Sequence, residues 1–181
     1  MQLSKLIKTS LKIDIKGITS DSRFVKKDYL FVILSKNNNT MNYVYEAIGN
    51  GACAILSQEV YTYEIPNIVV DNPLSILKEM LPKFYKNYHK QKLIGITGTD
   101  GKTSTALFTY HLLDDSAYIG TNGIIYNNEK QNNFLTTPIL STNYALLDYF
   151  STINLKTTIM EVSSEGILNE RIYGLEYDYS V

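Results

Sequence analysis

Apolar and polar positions along the chain switch repeatedly between short continuous runs and helical stripes. DYLFVIL (residues 28–34) reads as a buried strand, with a helix after it from about Asn42 to Asn50. GACAILS is a second strand, entered through Gly51, and IPNIVVD a third. From Pro73 a helix carries Leu74, Leu77, Leu81, Phe84, Tyr85 and Tyr88 on one stripe. Pro73 suits a first helical turn, and Pro82 inside the pattern predicts a bend. KNYHKQK (86–92) is polar and marks the best domain boundary, giving domains 1–88 and 89–181. Beyond it KLIGIT is a strand, TSTALFTYHLL a helix, AYIGTNGIIY a strand with a turn in it, and NNEKQNN a loop. PILSTNYALLDYFS is helical, TTIMEVS is a strand, a short helix covers Glu165 to Glu170, and YDYSV opens a further strand. Strands alternating with helices predict the α/β class with a mainly parallel sheet.

Composition narrows the class. The 181 residues suffice for one ordinary domain or two small ones, and 44% hydrophobic content supports a packed core. A net charge of -1 gives no bulk attraction to nucleic acid or anionic lipid, so neither is expected as a partner. No stretch approaches the ~20 apolar residues of a membrane span, and the N-terminus lacks the apolar core of a signal peptide. The single cysteine, Cys53, fits a reducing cytoplasm and reads as a small buried hydrophobe. Of the 17 basic residues only Arg23 and Arg171 are arginines. Their planar forks suit carboxylate or phosphate, although either also reads as an ordinary surface charge. His89, in the boundary segment, and His111, late in its helix, read as exposed or packing residues.

The chemistry concentrates at GITGTDGKTSTALF (95–108). A strand, glycines at 98 and 101, Lys102, Thr103 and then a helix form the context of a phosphate loop. The usual loop has a glycine five residues before Gly101, where this chain has Ile96. A phosphate loop here uses Gly98, Thr99, Asp100, Gly101, Lys102, Thr103 and Ser104, with Lys102 against the β and γ phosphates and the Thr103 hydroxyl on Mg2+. The competing reading is a glycine turn that only caps the helix.

The spacing Gly95, Gly98, Gly101, Lys102, Thr103 resembles the loop of the Mur ligases, whose middle glycine sits later than in the common P-loop. Three further stretches resemble the tripeptide-synthetase branch of that family: ITSDSR with DYLFVIL, TTP (136–138) and MEVSSEGILNERI (160–172). The four motifs follow the family's order over nearly the whole chain. The resemblance implies a small N-terminal α/β UDP-binding domain followed by an incomplete P-loop parallel-sheet ATPase domain. It implies that Ser20 and Ser22 contact the UDP-sugar, that Thr136, Thr137, Ser163, Asn169 and Arg171 hold the muramoyl-peptide, and that Glu161 ligates Mg2+. An ordinary strand-end carboxylate at Glu161, and turn or capping roles for the serines and threonines, are the alternatives. Two positions depart from the family pattern: Asp100, often asparagine, and Glu165, commonly histidine.

The activity implied is a cytoplasmic, ATP- and Mg2+-dependent amide ligase of peptidoglycan synthesis. ATP phosphorylates the terminal carboxylate of UDP-N-acetylmuramoyl-L-alanyl-D-glutamate, and a diamino acid attacks the acyl phosphate, with Lys102 and Glu161 as the catalytic pair. The 181 residues lack counterparts of the family's later lysine, metal-ligand histidine, adenine-contacting region and amino-acid-binding domain. The chain is therefore expected to be part of a larger protein and a poor ligase by itself. Two other readings remain: a truncated, non-catalytic remnant that binds nucleotide or UDP-sugar, and another Mur-superfamily amide ligase of folylpolyglutamate or cyanophycin type.

Overall fold

The computed structural model describes residues 1–181, which divide into two compact units, Met1–Phe84 and Tyr85–Val181. In the first unit four strands, β1 (Gly17–Thr19), β2 (Tyr29–Val32), β3 (Ala52–Ser57) and β4 (Asn67–Val69), form a sheet in that order, parallel throughout. Helix α1 (Thr40–Gly49) joins β2 to β3, and α2 (Pro73–Phe84) follows β4. Val44 and Ala47 of α1 pack with Phe31, Ile33, Ala52 and Ile55, so the buried strand runs and the helical stripe meet as their spacing requires. Gly51, at φ 100°, turns the chain from α1 into β3.

Three readings change here. Strand β1 lies in ITSDSR and is only 3 residues long, too short to show a period. Helix α2 stops at Phe84, short of Tyr85 and Tyr88, with Pro82 inside its last turn. Tyr88 packs instead on Tyr144 in the second unit, with ring centroids 4.6 Å apart. Cys53 is half-buried rather than buried, its thiol 3.4 Å from the Tyr29 carbonyl.

In the second unit β5 (Lys92–Ile96), α3 (Lys102–Leu112), β6 (Ser116–Gly120), β7 (Gly123–Tyr126), β8 (Glu129–Gln131), α4 (Leu140–Thr152), β9 (Thr157–Glu161), α5 (Ser164–Leu168) and β10 (Tyr179–Ser180) follow in chain order. The sheet has six strands in the order β10-β5-β9-β6-β7-β8. The first four are parallel, and β6-β7 and β7-β8 are antiparallel, so the sheet is mixed. The expected loop NNEKQNN contains β8. Asn127 and Asn128 adopt φ 48° and 62° and form a tight two-residue hairpin turn, a geometry asparagine tolerates.

Helices cover both faces of the parallel part. Leu93, Ala117, Ile119 and Met160 pack with Leu147 and Phe150 of α4, while Ile96, Tyr118 and Ile159 pack with Ala106 of α3. Side chains alternate faces along a strand, so Glu161, two residues past Ile159, lies on the α3 side. No helix in the chain is long and apolar enough to cross a membrane.

Candidate functional site

The glycine loop leaves β5 and enters α3 through two left-handed residues. Gly98 has φ 131° and Gly101 φ 79°. A β-carbon at Gly101 would meet nothing within 4 Å, so glycine serves backbone conformation there, not space. Gly101 is also the N-cap of α3 and offers no side-chain cap, which leaves the helix's first amides facing the loop. Thr99, Asp100 and Ser104 are exposed on the same turn. The Lys102 ammonium folds back over the loop, donating to the Gly98 carbonyl at 2.6 Å and the Thr99 carbonyl at 3.2 Å.

Register brings the second half of the site to this loop. β5 and β9 pair in parallel with Ile96 opposite Glu161, so the strand end that launches the loop lies beside the strand end that carries the carboxylate. Glu161 is fully buried and its oxygens are held by four neutral donor contacts. Oε2 accepts from Thr103 Oγ1 at 2.9 Å and Thr121 Oγ1 at 3.0 Å. Oε1 accepts from the Thr121 amide at 3.2 Å and from the Tyr118 hydroxyl. Burial, and then the hydrogen bond to Glu161, push the Tyr118 phenol well above its ordinary pKa, so it is a neutral donor at physiological pH. The hydroxyl of Thr103 and the carboxylate of Glu161 are hard oxygen donors that could hold a divalent cation. No cluster of three or more His, Cys, Asp or Glu side chains offers a protein cage. This donor set fits Mg2+, which keeps several waters and takes few protein ligands.

Hydroxyls and main-chain carbonyls connect Glu161 to Arg171. Thr136 Oγ1 lies 3.0 Å from Thr121 Oγ1. Thr137, fully buried, donates to the Glu161 carbonyl at 3.0 Å and accepts from the Ser163 amide at 2.9 Å. Its single proton is thereby committed, so Ser163 Oγ donates in their 3.1 Å contact. Ser163 caps α5 by accepting from the Gly166 amide. Arg171 donates to the Thr137 carbonyl at 3.3 Å and pairs with Glu165 at 2.7 Å. Asn169 is exposed and donates to the Glu165 carbonyl. Asn143, buried on α4, ties the Pro138 and Arg171 carbonyls together at 3.0 and 2.8 Å.

Thr103, Glu161, Thr136, Thr137, Ser163 and Arg171 thus form one connected network, with Lys102 on the adjoining loop. Ser20 and Ser22 lie in the other unit. Ser20 is half-buried just past β1, whereas Ser22 is buried and donates to Glu46 of α1 at 2.5 Å. Arg23 makes a two-pronged pair with Asp21 at 2.9 and 2.6 Å. Sequence reasoning missed Tyr118 and Thr121, the two residues that complete the Glu161 shell.

Residues 96–181 match the Mur ligase middle domain. The chain is 33% identical over 199 residues to the UDP-N-acetylmuramoyl-L-alanyl-D-glutamate--2,6-diaminopimelate ligase of Buchnera aphidicola, a match covering 99% of this chain and 38% of that protein. It is also 33% identical over 174 residues to the UDP-N-acetylmuramoyl-L-alanyl-D-glutamate--L-lysine ligase of Streptococcus pyogenes, covering 93% of this chain and 36% of that protein. A solved structure of a UDP-N-acetylmuramoyl-L-alanyl-D-glutamate--2,6-diaminopimelate ligase superposes with a TM-score of 0.71 at 19% identity, covering 99% of this chain and 39% of that one. That likeness establishes a shared fold. The chain spans a little over a third of the length of the relatives it matches.

Proposed function

We propose, from the chain's relationship to the Mur ligases, that it supplies the UDP-sugar-binding and phosphate-loop portions of an ATP-dependent ligase of peptidoglycan precursor synthesis. The reaction is the addition of a diamino acid to UDP-N-acetylmuramoyl-L-alanyl-D-glutamate through an acyl phosphate. Residues 1–88 form the UDP-binding domain, with half-buried Ser20 as the candidate contact and Ser22 tied to Glu46 of α1. Residues 89–181 form the first part of the ATP-binding domain. The relatives' names divide between diaminopimelate and lysine at equal identity, so the amino acid added is left as a diamino acid.

The observation that supports this reading most is the 2.9 Å contact between the Thr103 hydroxyl and Glu161 at the mouth of the glycine loop. A triphosphate seated on residues 98–104 meets backbone amides, the α3 N-terminus and the Lys102 ammonium together. Lys102 exchanges the Gly98 and Thr99 carbonyls for phosphate oxygens, a stronger charge-assisted pairing. Thr103 and Glu161 would hold Mg2+, which would supply charge neutralisation on the phosphates. Thr136, Ser163 and Arg171 line the path by which the muramoyl-dipeptide carboxylate reaches the γ phosphate, and buried Thr137 fixes that wall in place. The role of this chain's residues is therefore positioning and charge balance.

Calorimetric titration of Mg-ATP and of UDP-N-acetylmuramoyl-dipeptide tests the reading, with Lys102→Ala as control. Saturable binding of both ligands is expected, with the variant losing about tenfold or more of its ATP affinity and keeping its affinity for the UDP-sugar. Absence of Mg-ATP binding by the unaltered chain would overturn the nucleotide assignment.

A further inference from the structure

We propose that Tyr118 is a positioning residue for the Glu161 carboxylate, fixing one oxygen so that the other faces the cation, and that Gly120 provides the space for this contact. The inference rests on the cation site proposed above.

Tyr118 is fully buried between α3 and the sheet, where it packs with Ile96, Ala106 and Ile159. Packing alone asks for no hydroxyl there. The hydroxyl instead donates to Glu161 Oε1 and accepts from the Asn122 amide at 3.2 Å. Register produces the contact: Tyr118 stands opposite Ile159 on the neighbouring strand, so a ring reaching along its own strand arrives level with Glu161. Gly120 lies in the way of any larger residue. A β-carbon at that position would collide with both the Tyr118 hydroxyl and Glu161 Oε1.

The donors divide the carboxylate into two sides. Oε1 is held by the hydroxyl of a packed, buried ring and by the Thr121 backbone amide, whose heavy atoms are fixed by the core and by the main chain. Oε2 is held by two hydroxyls, those of Thr103 and Thr121, whose protons rotate freely about the C–O bond. A cation approaching from the loop therefore displaces protons at Oε2 while Oε1 keeps its partners. Partners of this kind orient metal ligands and commonly change metal affinity when removed.

The test uses the whole chain carrying Tyr118→Phe, which removes one oxygen and keeps the ring. Mn2+, standing in for Mg2+, is titrated in the presence of ATP and followed by electron paramagnetic resonance, and ATP binding without metal is measured in parallel. Mn2+ affinity is expected to fall about tenfold or more, with metal-free ATP binding unchanged. Glu161→Gln, measured alongside, is expected to abolish the Mn2+ site. Unchanged Mn2+ affinity in Tyr118→Phe, with loss in Glu161→Gln, overturns the role of Tyr118 and leaves the cation site standing. Unchanged affinity in both overturns the cation site and the inference with it. An equal loss of metal-free ATP binding in Tyr118→Phe marks a general packing role and also overturns it. Should Tyr118→Phe fail to fold, 3-fluorotyrosine at position 118 reports on the same bond. Its fluorine resonance is expected to shift when Mg2+ joins bound ATP, and an unmoved resonance overturns the inference.

Discussion

Thr103 and Glu161, separated by 58 residues in sequence, meet at 2.9 Å because β5, which launches the loop into α3, pairs in register with β9, which ends in Glu161. One residue begins the helix after the glycine loop and the other ends the adjacent strand. A hydroxyl on the loop side and a carboxylate on the sheet side thereby share one small volume, with buried packing behind the carboxylate and the loop in front.

Thr103→Val keeps the shape of that side chain and removes its donor. Loss of one of the donors to a buried carboxylate is expected to lower unfolding stability by about 1–3 kcal/mol. The increase in ATP affinity that Mg2+ brings is expected to disappear, while Thr103→Ser retains it. Urea denaturation and titrations with and without Mg2+ check the two effects separately.

Gly166→Ala tests the wall formed by Thr137. A β-carbon at 166 would lie 2.7 Å from the buried Thr137 side chain, which has no free direction in which to move. The expected cost is roughly 1–3 kcal/mol, typical of overpacking, read as a lowered thermal midpoint. Gly49→Ala in α1, where nothing lies within 4 Å, is the matched control and should show no loss.

Glu165→Gln addresses the departure from the family pattern at that position. The Glu165 side chain is 66% exposed and that of Arg171 14%, so the pair is solvated on one side. Its loss is expected to cost less than about 1 kcal/mol, and added salt should shrink the difference. Arg171→Ala should cost more, because it also removes the donor to the Thr137 carbonyl and a mostly buried stem. Guanidinium and urea denaturation, compared at matched ionic strength, separate the two variants.

Cys53 provides a pH test in the first unit. Burial, with a further contribution from the Asp28 charge, raises its thiol pKa above the ordinary value. The folded state thus disfavours the thiolate. Stability tied to this group is complete below the unfolded pKa and is lost as pH rises through the folded one. Reaction with a disulfide reagent at pH 8 should be slower in the folded chain than in urea, and its rate should rise at a higher pH than a free thiol's.

The glycine loop and α3 were legible in sequence because every signal is local: two glycines, a lysine and a hydroxyl between a strand and a helix. Glu161 could be singled out only through family resemblance, since its partners come from three distant stretches. Tyr118 carried no chemical signal. Within AYIGTNG it reads as one more apolar strand position, and only the pairing of β6 with β9 directs its hydroxyl to a carboxylate 43 residues away. Strand β8 was missed because Glu129–Gln131 is wholly exposed and follows no apolar alternation; a turn of two asparagines, not burial, creates it. The helix expected through Tyr88 followed a real stripe, but the stripe continues past the helix end because those tyrosines serve different packing contacts.

The ladder between Ile96 and Glu161 has a mechanical consequence. Glu161 and the last residue before the loop are joined by sheet hydrogen bonds, and Thr103 sits in the first turn of a helix braced on the same sheet. Residues 97–101 between them are all exposed. The site is therefore built like a vice with one stiff jaw and one pliant one: the turn can remould itself around a guest while the distance between hydroxyl and carboxylate stays set by the scaffold.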